Sequence, residues 1–263
     1  MGEKIVITSG KGGVGKSTIA ANLAAAFARL GKNSILVDMD MGLRSLDVFL
    51  GLENKVVFDL SDLADGICRE KQALVKWDVS PRVRLVAAAQ LRGSETVDED
   101  RLTRVLDSLK EDCDYLLIDC PAGVGRGFRN ATASADTAIL VATPDGVCLR
   151  DAERMAGLLK SRDIPRLLLA VNRVSPRHLK PDWPASPGVF AEKLGLETIA
   201  LIPEDACVER CTQCGVPAAW QKGSRAGRAI MDAARRLNGE SVPQISLNRE
   251  FPVLRLLRRL GLR

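Results

Sequence analysis

Gly10-Lys11-Gly12-Gly13-Val14-Gly15-Lys16-Ser17-Thr18 satisfies the spacing G-x-x-x-x-G-K-[ST]. It lies between an apolar run, residues 4–9, and an alanine-rich run, residues 17–30, that Gly31 stops. A strand, a glycine loop and a helix in that order have one evident use. Glycines let the backbone turn its N–H groups inward around phosphate oxygens, and the first turn of the helix adds the positive end of its dipole. Lys16 then neutralises the β and γ phosphates of a nucleotide, and the Ser17 hydroxyl is placed to coordinate Mg2+. Gly10, Gly12, Gly13, Val14, Gly15, Lys16, Ser17 and Thr18 are the expected nucleotide-binding residues of this stretch.

Outward from the loop the same alternation repeats. Residues 34–38, 83–88, 115–119, 137–142, 167–172 and 198–202 read as short apolar strands. Residues 60–74 (interrupted near Gly66), 100–110, 152–160 and 224–237 read as helices. Apolar strands alternating with helices predict a P-loop α/β fold, a mostly parallel twisted sheet with helices on both faces. The chain has 263 residues, 46% of them hydrophobic and 27% charged, which suits a folded globular protein and not a disordered one. Aromatic residues make up only 4%, too few for a stacking platform on single-stranded nucleic acid. No apolar run reaches the ~18 residues a membrane span needs. The start lacks the basic and long apolar regions of a signal peptide, and Val6 stands where a myristoylation signal wants Ser or Thr. Together with seven cysteines, an odd number, this predicts a reducing, cytoplasmic setting.

Carboxylates follow two of the strands. Asp38 and Asp40 stand in Val-Asp-Met-Asp, and Asp119 ends Tyr-Leu-Leu-Ile-Asp before Pro121-Ala122-Gly123. All three fall at the carboxyl edge of a parallel sheet, where such sheets bind their ligands. An apolar strand ending in Asp beside a phosphate loop is the arrangement that holds Mg2+, so Asp119 is expected as a metal residue with Ser17. A guanine-reading N-K-x-D is missing: the corresponding strand end is Val171-Asn172-Arg173-Val174-Ser175, with no Asp in fourth place, which favours ATP.

The form K-G-G-x-G-K-[ST], with its second lysine at Lys11, resembles the deviant Walker A ATPases of the ParA/MinD superfamily. The stretches Gly42-Leu43-Arg44-Ser45-Leu46-Asp47, Gly51-Leu52-Glu53-Asn54, Lys71-Gln72-Ala73-Leu74, Phe128-Arg129-Asn130-Ala131, Arg150-Asp151-Ala152-Glu153-Arg154 and Ile202-Pro203-Glu204-Asp205 look like the septum-site-determining branch, over essentially the whole chain. The resemblance implies that Lys11 reaches across a dimer interface to the partner's nucleotide and is catalytic together with Lys16 and Asp40. It implies that Asp40 orients the attacking water and that Asp38 and Asp40 lie near the metal. It makes Asn172, Arg173, Pro203, Glu204 and Asp205 the adenine side. It further implies an ATP-dependent homodimer, hydrolysis with Mg2+, binding to anionic lipids on the inner face of the cell membrane, and division-inhibitor and topological-specificity partners of the MinC and MinE kind. The chain departs from that pattern at Ser45, where asparagine is usual, at Gly125-Arg126, where an acidic residue is usual, and at Cys207 and Cys214, in a segment that is normally polar. A flagellar-placement ATPase of the same superfamily and a DNA-binding partition ATPase, served by the Arg225, Arg228, Arg235, Arg236 helix, stand as alternatives.

Residues 239–248, polar and containing Gly and Pro, read as a linker between a domain at 1–238 and a terminal segment at 249–263. At about 100° per residue, Val253, Leu254, Leu256, Leu257 and Leu260 fall within an arc of about 160°, with Arg255, Arg258 and Arg259 opposite. A leucine face against an arginine face, with Phe251 just ahead, is the pattern of a helix lying in a membrane interface. Five arginines and one glutamate lie in 249–263, so four of the five net positive charges of the chain are in its last fifteen residues. The spacing Cys207-x3-Cys211-x2-Cys214 also admits an iron–sulfur site, though small semi-buried thiols fit it as well. Cys113 and Cys120 read as core thiols, and His178, in a proline-rich loop, as a surface residue.

Overall fold

Each apolar run becomes a strand because the helices between the strands cover both faces of one sheet, so these strands need no polar side. The computed structural model describes residues 2–40, 44–89, 98–121, 123–180 and 182–244. Within them the strands are β1 (Glu3–Thr8), β2 (Ser34–Asp38), β3 (Val75–Trp77), β4 (Ser80–Val86), β5 (Tyr115–Asp119), β6 (Thr137–Ala142), β7 (Arg166–Val174) and β8 (Glu197–Pro203). They form one sheet in the order β3-β4-β2-β5-β1-β6-β7-β8. Every pairing is parallel except β3 with β4, at the edge. All residues of β2, β5 and β6 are buried. The expected α/β architecture is therefore present.

The helices are α1 (Lys16–Arg29), α2 (Leu46–Leu50), α3 (Leu60–Ala64), α4 (Glu70–Ala73), α5 (Glu99–Glu111), α6 (Arg126–Thr132), α7 (Gly146–Lys160), α8 (Pro187–Leu194), α9 (Ala206–Gln213) and α10 (Arg225–Leu237). The α1 helix buries 11 of its 14 residues, six of them alanines, and small side chains let it lie close to the sheet and to α10. Phe27 of α1 stacks on Tyr115 at 3.8 Å between ring centres, and the Tyr115 hydroxyl donates to Asn238 Oδ1 at 3.2 Å, which ties the end of α10 to the sheet.

The structure differs from the sequence reading in the short pieces. The run 60–74 is two helices, α3 and α4, separated at Gly66, whose φ of +73° no other residue adopts as cheaply. The edge strand β3 and the helices α2, α6, α8 and α9 span three to eight residues, too short for a hydrophobic period to register. Past α10 the chain returns to β8: the Arg236 guanidinium donates to the carbonyls of Ile199, Val242 and Pro243, and Gln244 Nε2 donates to Thr198 O. The amphipathic segment expected at 249–263 lies outside the described residues. No described helix is long and apolar enough to cross a membrane.

Candidate functional site

The glycine loop joins β1 to α1, and its glycines have specific reasons to be there. A Cβ on Gly10 would stand 2.3 Å from the Asp151 carbonyl oxygen on α7, and one on Gly15 would stand 2.4 Å from Asn172 Nδ2. Gly15 also has φ +100°. The Asn172 side chain, at the end of β7, donates to Val14 O at 2.7 Å, and the Ser9 hydroxyl donates to Lys11 O at 2.7 Å. These bonds fix the loop from both sides. The residue before α1 is Gly15, with no side chain to cap the helix. The first-turn amides of α1 are thus left to an anion, which is the physical basis of phosphate binding at such ends. Lys16 is buried at the base of the loop.

The sheet order brings the acids to this loop. β5 sits between β2 and β1, and the register places Asp38 and Ile7 on either side of Asp119. The three acids differ sharply in surroundings. Asp38 is wholly buried; its Oδ1 accepts from Asp40 N, and its Oδ2 accepts from Ser45 N and Leu46 N at 3.0 and 3.1 Å. It therefore anchors the start of α2, while burial outweighs those bonds and pushes its pKa up to about 6. Asp40 is half-buried; burial raises it and the Lys16 charge pulls it back. Asp119 is wholly buried, and neither of its oxygens has a hydrogen-bond partner. Burial first, then the Asp38 charge, push it up to about 8, with the nearby Ser17 hydroxyl and Lys16 opposing.

Unpartnered buried carboxylate oxygens are rare and ask for an explanation. A hard divalent cation supplies one: the donors nearby are a carboxylate and a hydroxyl, which are Mg2+ ligands. Among the described residues no three His, Cys, Asp or Glu side chains converge on a point, so such a cation would need phosphate and water to complete its shell. The same finding leaves Cys207, Cys211 and Cys214 without the convergence a cluster needs.

A cavity of about 790 Å3 opens beside the loop, lined by Gly15 and Thr18, by Asn172, Arg173, Pro203, Glu204 and Asp205, and by Ile19, Phe49, Ile202, Val208, Thr212, Gln213 and Ile230. Every residue expected on the adenine side lies on it. Its apolar members, drawn from α1, α2, β8, α9 and α10, were not legible in the sequence because they carry no motif. The Asp205 carboxylate is engaged within the chain: it caps α9 through Cys207 N and also accepts from Ser224 Oγ, Arg225 N and Ala226 N. Lys11 is half-exposed at the mouth of the loop, with Nζ 3.7 Å from Asp145 Oδ1, the residue that caps α7. His178, expected at the surface, is buried in a 3-10 turn, its Nδ1 facing Ser175 N at 3.1 Å; the proline-rich loop folds back on itself and carries it inward.

A glycine loop whose free amides face the acid-tipped edges of its neighbouring strands is the architecture of the P-loop NTPases, and the chain has that fold. A family model described as ParA, NUBPL iron-transfer P-loop NTPase, matches residues 1–238. A putative septum site-determining protein MinD from Guillardia theta is 43% identical over 248 residues, covering 94% of this chain and 92% of the relative. The chain superposes on the MinC:MinD cell division protein complex of Aquifex aeolicus with a TM-score of 0.86 at 39% identity, covering 93% of this chain and 98% of that one. It also superposes on septum site-determining protein MinD complexed with Mg-ADP from Pyrococcus horikoshii, with a TM-score of 0.80 at 29% identity, covering 90% and 96%. The chain belongs to the MinD family of septum site-determining P-loop ATPases.

Proposed function

We propose that this chain is a septum-positioning ATPase that cycles between a membrane-bound ATP dimer and a free monomer. One observation carries the reading: a loop with free amides and a buried lysine faces Asp119, a wholly buried acid with both oxygens unpartnered. Cationic and anionic halves of one site fit a nucleotide with its metal.

In this reading the backbone of residues 10–18 cradles the phosphates and Lys16 neutralises them. Ser17 and Asp119 would hold Mg2+, with Asp38 and Asp40 beside them, and the ion supplies further neutralisation of phosphate charge. Asp38, tied to Ser45 N and Leu46 N, holds the segment that precedes α2 in place. Asp40, exposed enough to meet water, orients the attacking molecule. Asn172, Arg173, Pro203 and Glu204 flank the base over the apolar floor of Ile19, Ile202 and Ile230. Lys11 reaches the nucleotide of a second copy and stabilises charge on the transferring phosphoryl group. Residues 249–263 bind anionic lipid, marginally as one copy and firmly as two, because the second tail binds at high effective concentration. A MinC-type inhibitor, the protein named with the Aquifex aeolicus relative, is the expected partner, and a MinE-type protein the expected regulator. DNA partition fits less well, since Arg236 is engaged with three carbonyls and Arg235 with Glu240.

ATPase activity and sedimentation, each measured with and without anionic liposomes, test this reading. Liposomes should raise turnover, and ATP but not ADP should carry the protein into the pellet. Equal turnover and no ATP-dependent pelleting would overturn it.

A further inference from the structure

Cys207 and Cys211 stand one turn apart on α9, with their sulfurs 3.5 Å from each other. Positions i and i+4 of a helix are about 6 Å apart at Cα, within the span that disulfides bridge. Cys207 lies in the first turn, where its own amide donates to the capping Asp205. Cys211 is buried, and burial with the neighbouring sulfur holds its thiol well above the ordinary range. Cys214 is exposed and outside this contact. A partly exposed thiol against a buried partner thiol is the division of labour between attacking and resolving cysteines.

We propose that Cys207 and Cys211 form a reversible disulfide that loosens the nucleotide cavity. Cys207 gives up its proton as its sulfur attacks a hydroperoxide, the O–O bond breaks, and the departing alkoxide or hydroxide takes up that proton and leaves as alcohol or water, giving a sulfenic acid. Cys211 loses its proton and attacks that sulfur, the S–S bond forms, and hydroxide leaves as water. Two thiols and one hydroperoxide become one disulfide, one alcohol (or water) and one water; a dithiol reductant reverses the change. The bridge draws the two Cβ atoms from the ~5–6 Å of a regular helix to about 3.8 Å. The two turns of α9 that would carry the bridge also carry Val208, Thr212 and Gln213, which line the cavity, so their contraction shifts these side chains against the base. This coupling rests on the nucleotide reading of the cavity; formation of the disulfide does not.

Trypsin separates the pair, because Arg210 lies between them. Full-length protein treated with hydrogen peroxide and digested without reductant should yield peptide 194–210 linked to 211–222, with loss of two hydrogens, in wild type and in Cys214→Ser but not in Cys211→Ser. Dithiothreitol should undo the link. Over-oxidised Cys207 with no cross-link, or a link that persists in Cys211→Ser, overturns the proposal. Oxidised wild type should bind a fluorescent ADP analogue several-fold more weakly than reduced, with Cys211→Ser indifferent to peroxide. Equal affinity in a cross-linked protein overturns the coupling. Failure of the reduced protein to bind the analogue overturns the nucleotide reading instead.

Discussion

Asp119→Asn should stabilise the metal-free protein. Asp119 titrates at about 8 in the fold against an ordinary 3.8, because it is wholly buried with no partner. A carboxyl whose folded pKa is raised adds stability that is complete below about 4 and is lost as pH rises through about 8. Each tenfold change in proton affinity is about 1.4 kcal/mol, so keeping the acid charged costs about 6 kcal/mol at most above pH 8. Water penetration and relaxation around the charge reduce that, and about 2–3 kcal/mol is the figure to expect. At about 2–4 °C per kcal/mol for a domain of this size, the melting temperature of Asp119→Asn should exceed wild type by roughly 5–10 °C at pH 8.5 in EDTA. The gap should shrink towards pH 5, where the wild-type acid holds its proton. Adding Mg2+ and ADP should raise wild type and reverse the order. Calorimetric melts of both proteins from pH 5 to 9, with and without Mg-ADP, decide the matter. A variant that is no more stable than wild type at pH 8.5 in EDTA, with the same pH profile, refutes the idea that Asp119 is an uncompensated buried charge awaiting a cation.

Lys11→Ala should abolish ATP-dependent dimers while nucleotide binding persists, and light scattering that finds intact dimers with ATP would sink the trans role. Gly10→Ala forces a methyl to within 2.3 Å of the Asp151 carbonyl and should cost about 2–3 kcal/mol of stability in a denaturant titration. Asn172→Ala removes the bond to Val14 O and should weaken nucleotide binding about tenfold, near the 1.4 kcal/mol that one such bond is worth, as read by calorimetry. Removing residues 249–263 should eliminate ATP-dependent liposome sedimentation and leave ATP binding unchanged; a truncated protein that still pellets shows that another surface holds the lipid.

Motif spacing and apolar runs were enough to read the glycine loop, the central strands and the acids that end them, because those features are local. A loop that offers its amides needs its glycines at fixed offsets, and a doubly covered strand must be apolar throughout. The adenine-side residues were legible only as weak turns; folding brings 172–173 and 203–205 onto one cavity because β7 and β8 are parallel neighbours. The apolar floor of that cavity carries no pattern of its own, since Ile19, Ile202 and Ile230 look like any core residue until three elements meet. The different fates of Asp38 and Asp119 were hidden for the same reason. Both are strand-ending aspartates in sequence, yet one accepts three amide hydrogens from the chain that follows it and the other accepts none. Sequence thus determined which chemical groups stand at the edge of the sheet. Tertiary structure decided which of them are already satisfied and which are left for a ligand, because hydrogen-bond partners come from segments that only the fold brings together.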